Sequence, residues 1–313
     1  MNLICKEFVF PFKEGECHAS TLLRLADGAV LTAWFGGSKE GNLDVQIWLS
    51  RRENGVWSTP ASVPTAVPVQ HWNPVLFQTD DETVTLFYKI GKPIDVWQTM
   101  VIRSTDGGRT WTAPEELVAG DESGGRGPVK NKPIRTSDGR ILAPASTEHG
   151  TCWRCFVDEF DGNRWIKHPD FPVDNEYVGV IQPTLWEDAD GKFHALMRSN
   201  QGKIYRADSA DGGRAFGTCY PTDLPNNNSG LDAVMTEGGT LVLVCNPVEK
   251  NWGPRSPLSV FVSTDNGETF DKALDLETEQ GEFSYPAVIA DGERVYITYT
   301  YKRQSIAYCE LTV

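Results

Sequence analysis

Basic charge is scarce in this chain. Its 313 residues carry 29 Lys and Arg against 43 Asp and Glu, a formal net charge of -14. Binding to nucleic acid or to an anionic membrane is therefore disfavoured, because both need a basic face to neutralise phosphate. Any anionic ligand has to be held by a local basic pocket. No apolar run reaches membrane-spanning length. The start, Met1-Asn2-Leu3-Ile4-Cys5-Lys6, enters a strand-like run with no charged and apolar leader. Seven cysteines, an odd number, suit reduced thiols better than a disulfide framework, so the expected compartment is the cytoplasm. Cys152-Trp153-Arg154-Cys155 has no second CxxC and no spaced His pair beside it, and reads as buried structural thiols. The five histidines, His18, His71, His149, His168 and His194, share no paired spacing, so neither metal nor cofactor is expected. No glycine-rich phosphate loop leads from a strand into a helix, and Ser123 to Gly127 reads as a flexible loop. Helical periodicity of useful length is missing too; helical turns are expected only around Pro114 to Leu117.

What the chain does have is a repeat. Ser104-Thr105-Asp106-Gly107-Gly108-Arg109-Thr110-Trp111 returns from Ser209 through Asp211 and Gly213 to Phe216, and again from Ser263 through Asp265 and Gly267 to Phe270. Worn copies stand at Ser50 to Trp57 and around Asp161-Gly162 to Trp165. The step is about 51 to 54 residues, a period that marks propellers or solenoids and gives about six units. Each copy is a hairpin turn: Asp-Gly or Asn-Gly supplies the positive φ, Asp and Ser side chains bond nearby amides, and the aromatic packs beneath. A second ruler agrees with the first. Asp-Gly turns at Asp27-Gly28, Asp138-Gly139, Asp190-Gly191 and Asp291-Gly292, with Asp80-Asp81 and Gly238-Gly239 in the matching places, follow the same spacing. Each unit then reads as four strands, for example inner strand Ser20 to Leu25 and second strand Val30 to Phe35 in the first, Ala287 to Ala290 and Val295 to Tyr299 in the last. The run Ile4 to Val9 belongs to no unit and is expected to pair with Ser305 to Leu311, closing the ring and removing open sheet edges.

The SxDxGxxW pattern resembles the Asp-box of the sialidase (neuraminidase) superfamily and of related BNR-repeat propellers, over essentially the whole chain. The resemblance implies an all-β fold, a six-bladed β-propeller of four-stranded antiparallel sheets, in one domain spanning residues 1 to 313. The Asp-box itself is structural in that superfamily and identifies a frame, not a reaction.

Strand alternation puts both turn types on one face of the disc and the site on the other. Entrances to the inner strands follow a small rule, a polar residue before Pro or Ala: His18-Ala19, Asn73-Pro74, Lys132-Pro133, Gln182-Pro183 and Tyr285-Pro286, with Ser229-Gly230 and Asp232 in the fifth unit. Loops between second and third strands add Lys39, Glu40, Asp44, Lys89, Lys92, Glu148, His149, Arg198, Asn246, Arg255, Lys302 and Arg303.

By the resemblance, Arg198 and Arg255 match two arginines that hold a carboxylate through paired hydrogen bonds, Tyr285 matches the nucleophile and Asp44, with Glu40 close behind, the acid. A carboxyl raised by partial burial would protonate a leaving oxygen at neutral pH. Lys132, His18, Asn73, Lys39 and Arg303 are expected to complete the wall around the substrate. Two positions depart from the pattern: His18 stands for an arginine and Gln182 for the glutamate that polarises the tyrosine. Glu282 or Glu148 would have to serve as base, or Lys132 and His18 would hold a phenolate by charge. The resemblance implies an exo-acting glycosidase releasing a terminal acidic sugar, with elimination on a uronate or another glycosidase mechanism, and a non-catalytic glycan-binding or assembly propeller, as the other readings. Asn227-Asn228-Ser229 matches an N-glycosylation acceptor, without consequence in a cytoplasmic protein.

Overall fold

A computed structural model describes residues 1–12, 14–65, 68–80 and 82–313. Six antiparallel sheets follow one another around a central axis as the blades of a propeller. Blade 1 holds Glu16–Arg24, Val30–Gly37, Gln46–Glu53 and Val56–Trp57, with Ala61–Ser62 also paired to the third strand. Blade 2 holds His71–Gln78, Val84–Ile90, Gln98–Ser104 and Glu115–Glu116, and blade 3 holds Ile134–Arg135, Ile141–His149, Cys152–Phe160 and Trp165–Lys167. Blade 4 comprises Val180–Glu187, Phe193–Ser199, Lys203–Ser209 and Tyr220–Pro225, and blade 5 Asp232–Met235, Leu241–Cys245, Leu258–Ser263 and Asp271–Glu277. Blade 6 takes Phe283–Asp291, Arg294–Tyr301 and Ser305–Thr312 from the end of the chain, and Asn2–Phe8 from its start. That last pairing runs from Asn2 opposite Thr312 to Phe8 opposite Ala307, so the first strand closes the ring as expected.

Helical turns do not form at Pro114 to Leu117. Glu115 and Glu116 pair with Val101 and Met100 as the outer strand of blade 2, and the described residues hold one helical piece, the 3₁₀ turn Ile94–Val96. An exposed edge strand of two glutamates carries no apolar alternation, so its pairing is tertiary in origin. Asp81, half of the expected second turn, lies outside the described residues.

The Asp-box turns show why the motif needs its letters. Ser104 Oγ donates to Asp106 Oδ1 at 2.7 Å and accepts the Gly108 amide at 2.8 Å, while Asp106 also accepts the Thr110 amide and hydroxyl at 2.9 and 2.6 Å. The same bonds return at Ser263 and Asp265, and in large part at Ser209 and Asp211. Gly108 has a φ of +82°, and a Cβ there would sit 2.8 Å from Leu31 of blade 1, so side-chain-free backbone is required for the turn to reach its neighbour. Arg51 then bridges the blades, bonding Gly107 O and Asp27. Both turn types therefore share one face.

Apolar clusters fill the space between each pair of adjacent blades. Leu31, Phe35, Leu76 and Tyr88 join blades 1 and 2; Phe87 and Trp165 join 2 and 3; Val157, Val180 and Met197 join 3 and 4. Leu196 and Leu243 join 4 and 5, Val244 and Ile297 join 5 and 6, and Trp34 and Tyr308 join 6 and 1. Burying both faces of every blade is the main stabilising term and leaves the loops free to carry chemistry.

Candidate functional site

The register of the inner strands builds the site. In blades 1, 2, 4 and 6 the inner strand slips against its neighbour near its entrance, between His18 and Thr21, Trp72 and Val75, Ile181 and Thr184, and Ser284 and Ala287. A left-handed residue sits in each slip: Ala19 at φ +53°, Asn73 at +37°, Gln182 at +54° and Tyr285 at +52°. A bulge of this kind re-aims a side chain, and positive φ at a tyrosine or glutamine is strained. Counting back the same distance from the turn at the far end places Lys130 and Gly230 at the matching positions in blades 3 and 5. The ring at the mouth is thus Ala19, Asn73, Lys130, Gln182, Gly230 and Tyr285.

Two sequence expectations shift accordingly. Ala19, not His18, matches Tyr285 in register. Lys132 is not at the mouth: its ammonium lies 3.0 and 3.1 Å from the Asp232 carboxylate and 2.9 Å from Ala233 O, inside the hub. Lys130 takes its place, fully buried, donating to Asn131 Oδ1 at 2.8 Å, to Leu231 O at 3.0 Å and to Pro286 O. Burial pushes its amine down to about 7, against the pull of Asp232. A Cβ on Gly230 would touch both Lys130 and the Tyr285 ring, so the three pack together.

Tyr285 is half-buried at this ring, and its hydroxyl accepts Arg198 Nη1 at 2.8 Å. Arg198 is buried, near the top of the second strand of blade 4, and also donates to Gln182 Oε1 at 3.2 Å and, through Nε, to Asn228 Oδ1 at 2.8 Å. The Arg255 guanidinium stands 5.5 Å from the Tyr285 ring centre and donates to Glu282 Oε1 at 2.6 Å. Arg303 holds the other oxygen of Glu282 at 3.0 Å, and its Nη1 holds Glu40 at 2.5 Å. Burial pushes the Glu282 carboxyl up, but Arg255 and Arg303 outweigh it and hold the group below the usual carboxylate range.

His18 lies behind the phenol, ring centres 4.3 Å apart, and shares a hydrogen bond with Thr300 Oγ1 at 2.9 Å. Burial first, then the charges of Arg303, Arg255, Arg198 and Lys130, drive its pKa well below the ordinary histidine value. That direction works against the cationic His18 expected from the sequence. Tyr285, Arg198, Arg255, Glu282, Gln182, Arg303 and His18 are thus brought together, Glu40 joins them through Arg303, and Asn73 is buried at its own place in the ring.

Asp44 and Lys39 are not drawn in. Asp44 is exposed and its two oxygens accept the amide and hydroxyl of Ser38, both at 2.9 Å. Those bonds lower its pKa, the reverse of what a general acid needs. It lines a cavity of about 530 Å³ between blades 6 and 1, together with Trp34, Trp48, Glu16 and Arg303, and Arg303 also bonds Glu282. Lys39 is exposed in the same loop. Lys89, also expected on this face, is buried between blades 2 and 3 against Thr99 Oγ1 and Arg126 O, each at 2.6 Å.

Sequence reasoning missed Lys130, Asn228, Thr300 and Trp252. Trp252 is exposed, and its ring lies 5.7 Å from the Arg198 guanidinium. Asn227 and Asn228 are buried, their amides bonded to Pro254 O and Asn251 Oδ1, so the glycosylation motif is closed to modification. All seven cysteines are free thiols; five are buried, whereas Cys152 is exposed, which corrects the reading of that motif as a buried pair. Among the described residues no group of His, Cys, Asp and Glu is arranged to hold a metal ion.

The model of the BNR repeat-like domain matches residues 28–297. The chain belongs to the BNR repeat-like domain family. Among solved structures this BNR propeller is similar to a Dyadobacter fermentans protein of unknown function, with a TM-score of 0.83 at 17% identity over 100% of this chain and 99% of the other. It is similar to a Hadza microbial sialidase, with a TM-score of 0.79 at 16% identity over 95% of this chain and 66% of that one. Trypanosoma rangeli sialidase in complex with the inhibitor DANA superposes with a TM-score of 0.71 at 12% identity, over 95% and 55% of the two chains. The BNR propeller therefore has the sialidase fold, and it spans about two thirds and about half of the lengths of these two sialidases. No curated protein matches it.

Proposed function

We infer that this propeller is an exo-acting glycoside hydrolase that releases a terminal acidic sugar of the sialic acid class, with Tyr285 as nucleophile and Arg198 and Arg255 as the carboxylate-holding pair. The observation that carries this reading is the phenol oxygen of Tyr285, held by Arg198 at 2.8 Å beside a second guanidinium, at the mouth of a hub. A phenol suits the task. A sugar with a carboxylate on its anomeric carbon repels an attacking Asp or Glu, and sialidases are the glycosidases that use tyrosine instead. Arg198 at that oxygen and Arg255 over the ring offer the charge-assisted bonds that a substrate carboxylate takes. Glu282 is bonded to Arg255, so a substrate carboxylate competes with it for that guanidinium.

Turnover of aryl glycosides of sialic acids tests the reading. Tyr285→Phe should lower kcat on the order of 10³-fold or more, the scale of a lost nucleophile, while binding of the unsaturated analogue DANA persists. Unchanged turnover would remove Tyr285 from the chemistry, and equal binding without any turnover in the parent protein would make it a glycan-binding propeller.

A neutral imidazole beside a tyrosine favours one second reading, proton abstraction next to a uronate carboxylate with β-elimination. His18 is 2% exposed and sits behind Tyr285, which leaves the phenol as the group facing solvent. Ultraviolet absorbance of an unsaturated uronide product separates that reaction from hydrolysis.

A further inference from the structure

A residue other than glycine stays in the left-handed region only where its surroundings hold it there. Gln182 at φ +54° and Tyr285 at φ +52° are two such residues, and their side chains share Arg198 Nη1. The strand ladder does not hold them. Ile181 and Thr184, and Ser284 and Ala287, have register partners, whereas Gln182 and Pro183, and Tyr285 and Pro286, fall in the slips between and have none. Buried carbonyls in such a slip need donors from elsewhere.

Lys130 and Asn131 supply them. Blade 3 stands opposite blade 6 in a ring of six, so Lys130, entering from blade 3, crosses the hub to donate to Pro286 O in blade 6 and, at 3.0 Å, to Leu231 O beside blade 5. Its third bond, at 2.8 Å, goes to Asn131 Oδ1, and the Asn131 amide donates in turn to Gln182 O at 3.1 Å and Pro183 O at 3.0 Å in blade 4. Three acceptors take the three donors of an ammonium, and two carbonyls take the two of a carboxamide, so the pair is fully satisfied. Both side chains are buried. Three of the four carbonyls they reach belong to the slips in which Gln182 and Tyr285 stand. The lysine also packs on the phenol. A Cβ on Gly230 would lie 3.2 Å from both Lys130 Cε and Tyr285 Cγ, and the ammonium stands 5.9 Å from the ring centre.

We propose that Lys130 and Asn131 are the positioning residues of the Tyr285 centre: from blade 3 they fix the left-handed backbone of Gln182 and Tyr285 and so set the phenol oxygen on Arg198. The effect on turnover rests on the glycosidase reading above, whereas the effect on Tyr285 itself does not. Lys130 acts through Tyr285 and not on the sugar. A nucleophile misplaced by about an ångström loses on the order of a hundredfold in rate. A substrate carboxylate on the two guanidiniums is bound much as before, so the loss falls on kcat and not on KM.

Lys130→Met in the full chain keeps the stem and removes the donors. On an aryl glycoside of a sialic acid its kcat should fall on the order of a hundredfold, while KM and the dissociation constant of DANA stay within about threefold of the parent. Tyr285→Phe combined with Lys130→Met should turn over within about threefold of Tyr285→Phe alone, because both changes remove the same nucleophile. A crystal structure of Lys130→Met should show Tyr285 out of the left-handed region or its hydroxyl off Arg198. If Lys130→Met does not accumulate as folded protein, Asn131→Ala, which leaves Lys130 its two carbonyls, reads the same pair and should lower kcat about tenfold. Parent-like kcat in the folded variant, an additive loss in the double variant, or an unmoved Tyr285 in the crystal overturns the positioning role and leaves the glycosidase reading standing. A parent protein that neither turns over the glycoside nor binds DANA overturns the glycosidase reading, and the place of Tyr285 in the variant crystal then decides the proposal by itself.

Discussion

Asp232→Asn tests the hub that holds the site in place. The Asp232 carboxylate, 1% exposed in blade 5, accepts the Val288 amide of blade 6 at 2.9 Å, the Thr184 hydroxyl of blade 4 at 2.7 Å and the Lys132 ammonium of blade 3 at 3.0 Å. Four blades meet on one side chain. Asparagine keeps the volume but puts an NH2 where one of these donors looks for an acceptor, and it leaves Lys132, 16% exposed, without its counter-charge. Breaking a buried ion pair from one side costs about 3 to 5 kcal/mol. Lys132 keeps Ala233 O at 2.9 Å and some solvent, so the low end, about 3 kcal/mol, applies. At about 2.1 cal/mol/K of unfolding entropy per residue, that loss lowers Tm by about 5 °C in a chain of this length. Calorimetric unfolding at neutral pH reads it directly. The double variant Asp232→Asn with Lys132→Met leaves no charge stranded, keeps an oxygen for the Val288 and Thr184 donors, and should recover part of the loss. A single variant within about 1 °C of the parent, or a double variant that falls as far as the single, would refute the reasoning.

Two further outcomes follow from the site. Arg198→Met and Arg255→Met should each weaken DANA binding at least about thirtyfold. Arg198→Met should weaken it more, because Asn228 and Tyr285 lose their donor as well; parent-like titration isotherms in either variant would exclude the carboxylate pair. His18 bears on pH. The fold keeps it neutral while the unfolded chain protonates it near pH 6.5, so the unfolded state binds the extra proton and stability falls as pH drops through that value, by up to about 1.4 kcal/mol per pH unit. His18→Phe should remove that slope, seen as a gap between parent and variant Tm that changes from pH 7.5 to pH 5. A constant gap would show that His18 carries a proton in the fold.

The frame was legible in the sequence because its signals are local. Ser104, Asp106, Gly108 and Thr110 bond one another within seven residues, so the motif is written in consecutive letters, and the Asp-Gly turns share that property. Tyr285, Arg198 and Arg255, the residues matched through the resemblance, lie close together because each stands at a fixed place in its blade. The errors came from what alternation does not record. A bulge inserts one residue into a strand without any sequence mark, which displaced the reading of blade 1 by one position, from Ala19 to His18. In blade 3 the inner strand is short, Ile134–Arg135, and its entrance was read at Lys132, two positions past Lys130. Asp44 fell on the expected loop, but whether a carboxyl there is buried or captured by Ser38 is decided by the loop's fold.

The central claim, that two arginines and a phenol at the hub mouth form one acidic-sugar site, is tested most directly by a crystal structure with DANA bound. The account predicts the analogue's carboxylate within hydrogen-bonding distance of both Arg198 and Arg255, Glu282 displaced from Arg255, and the anomeric carbon facing the Tyr285 hydroxyl. DANA bound in the cavity between Asp44 and Arg303, or seated at the mouth with its carboxylate turned away from both guanidiniums, would contradict it.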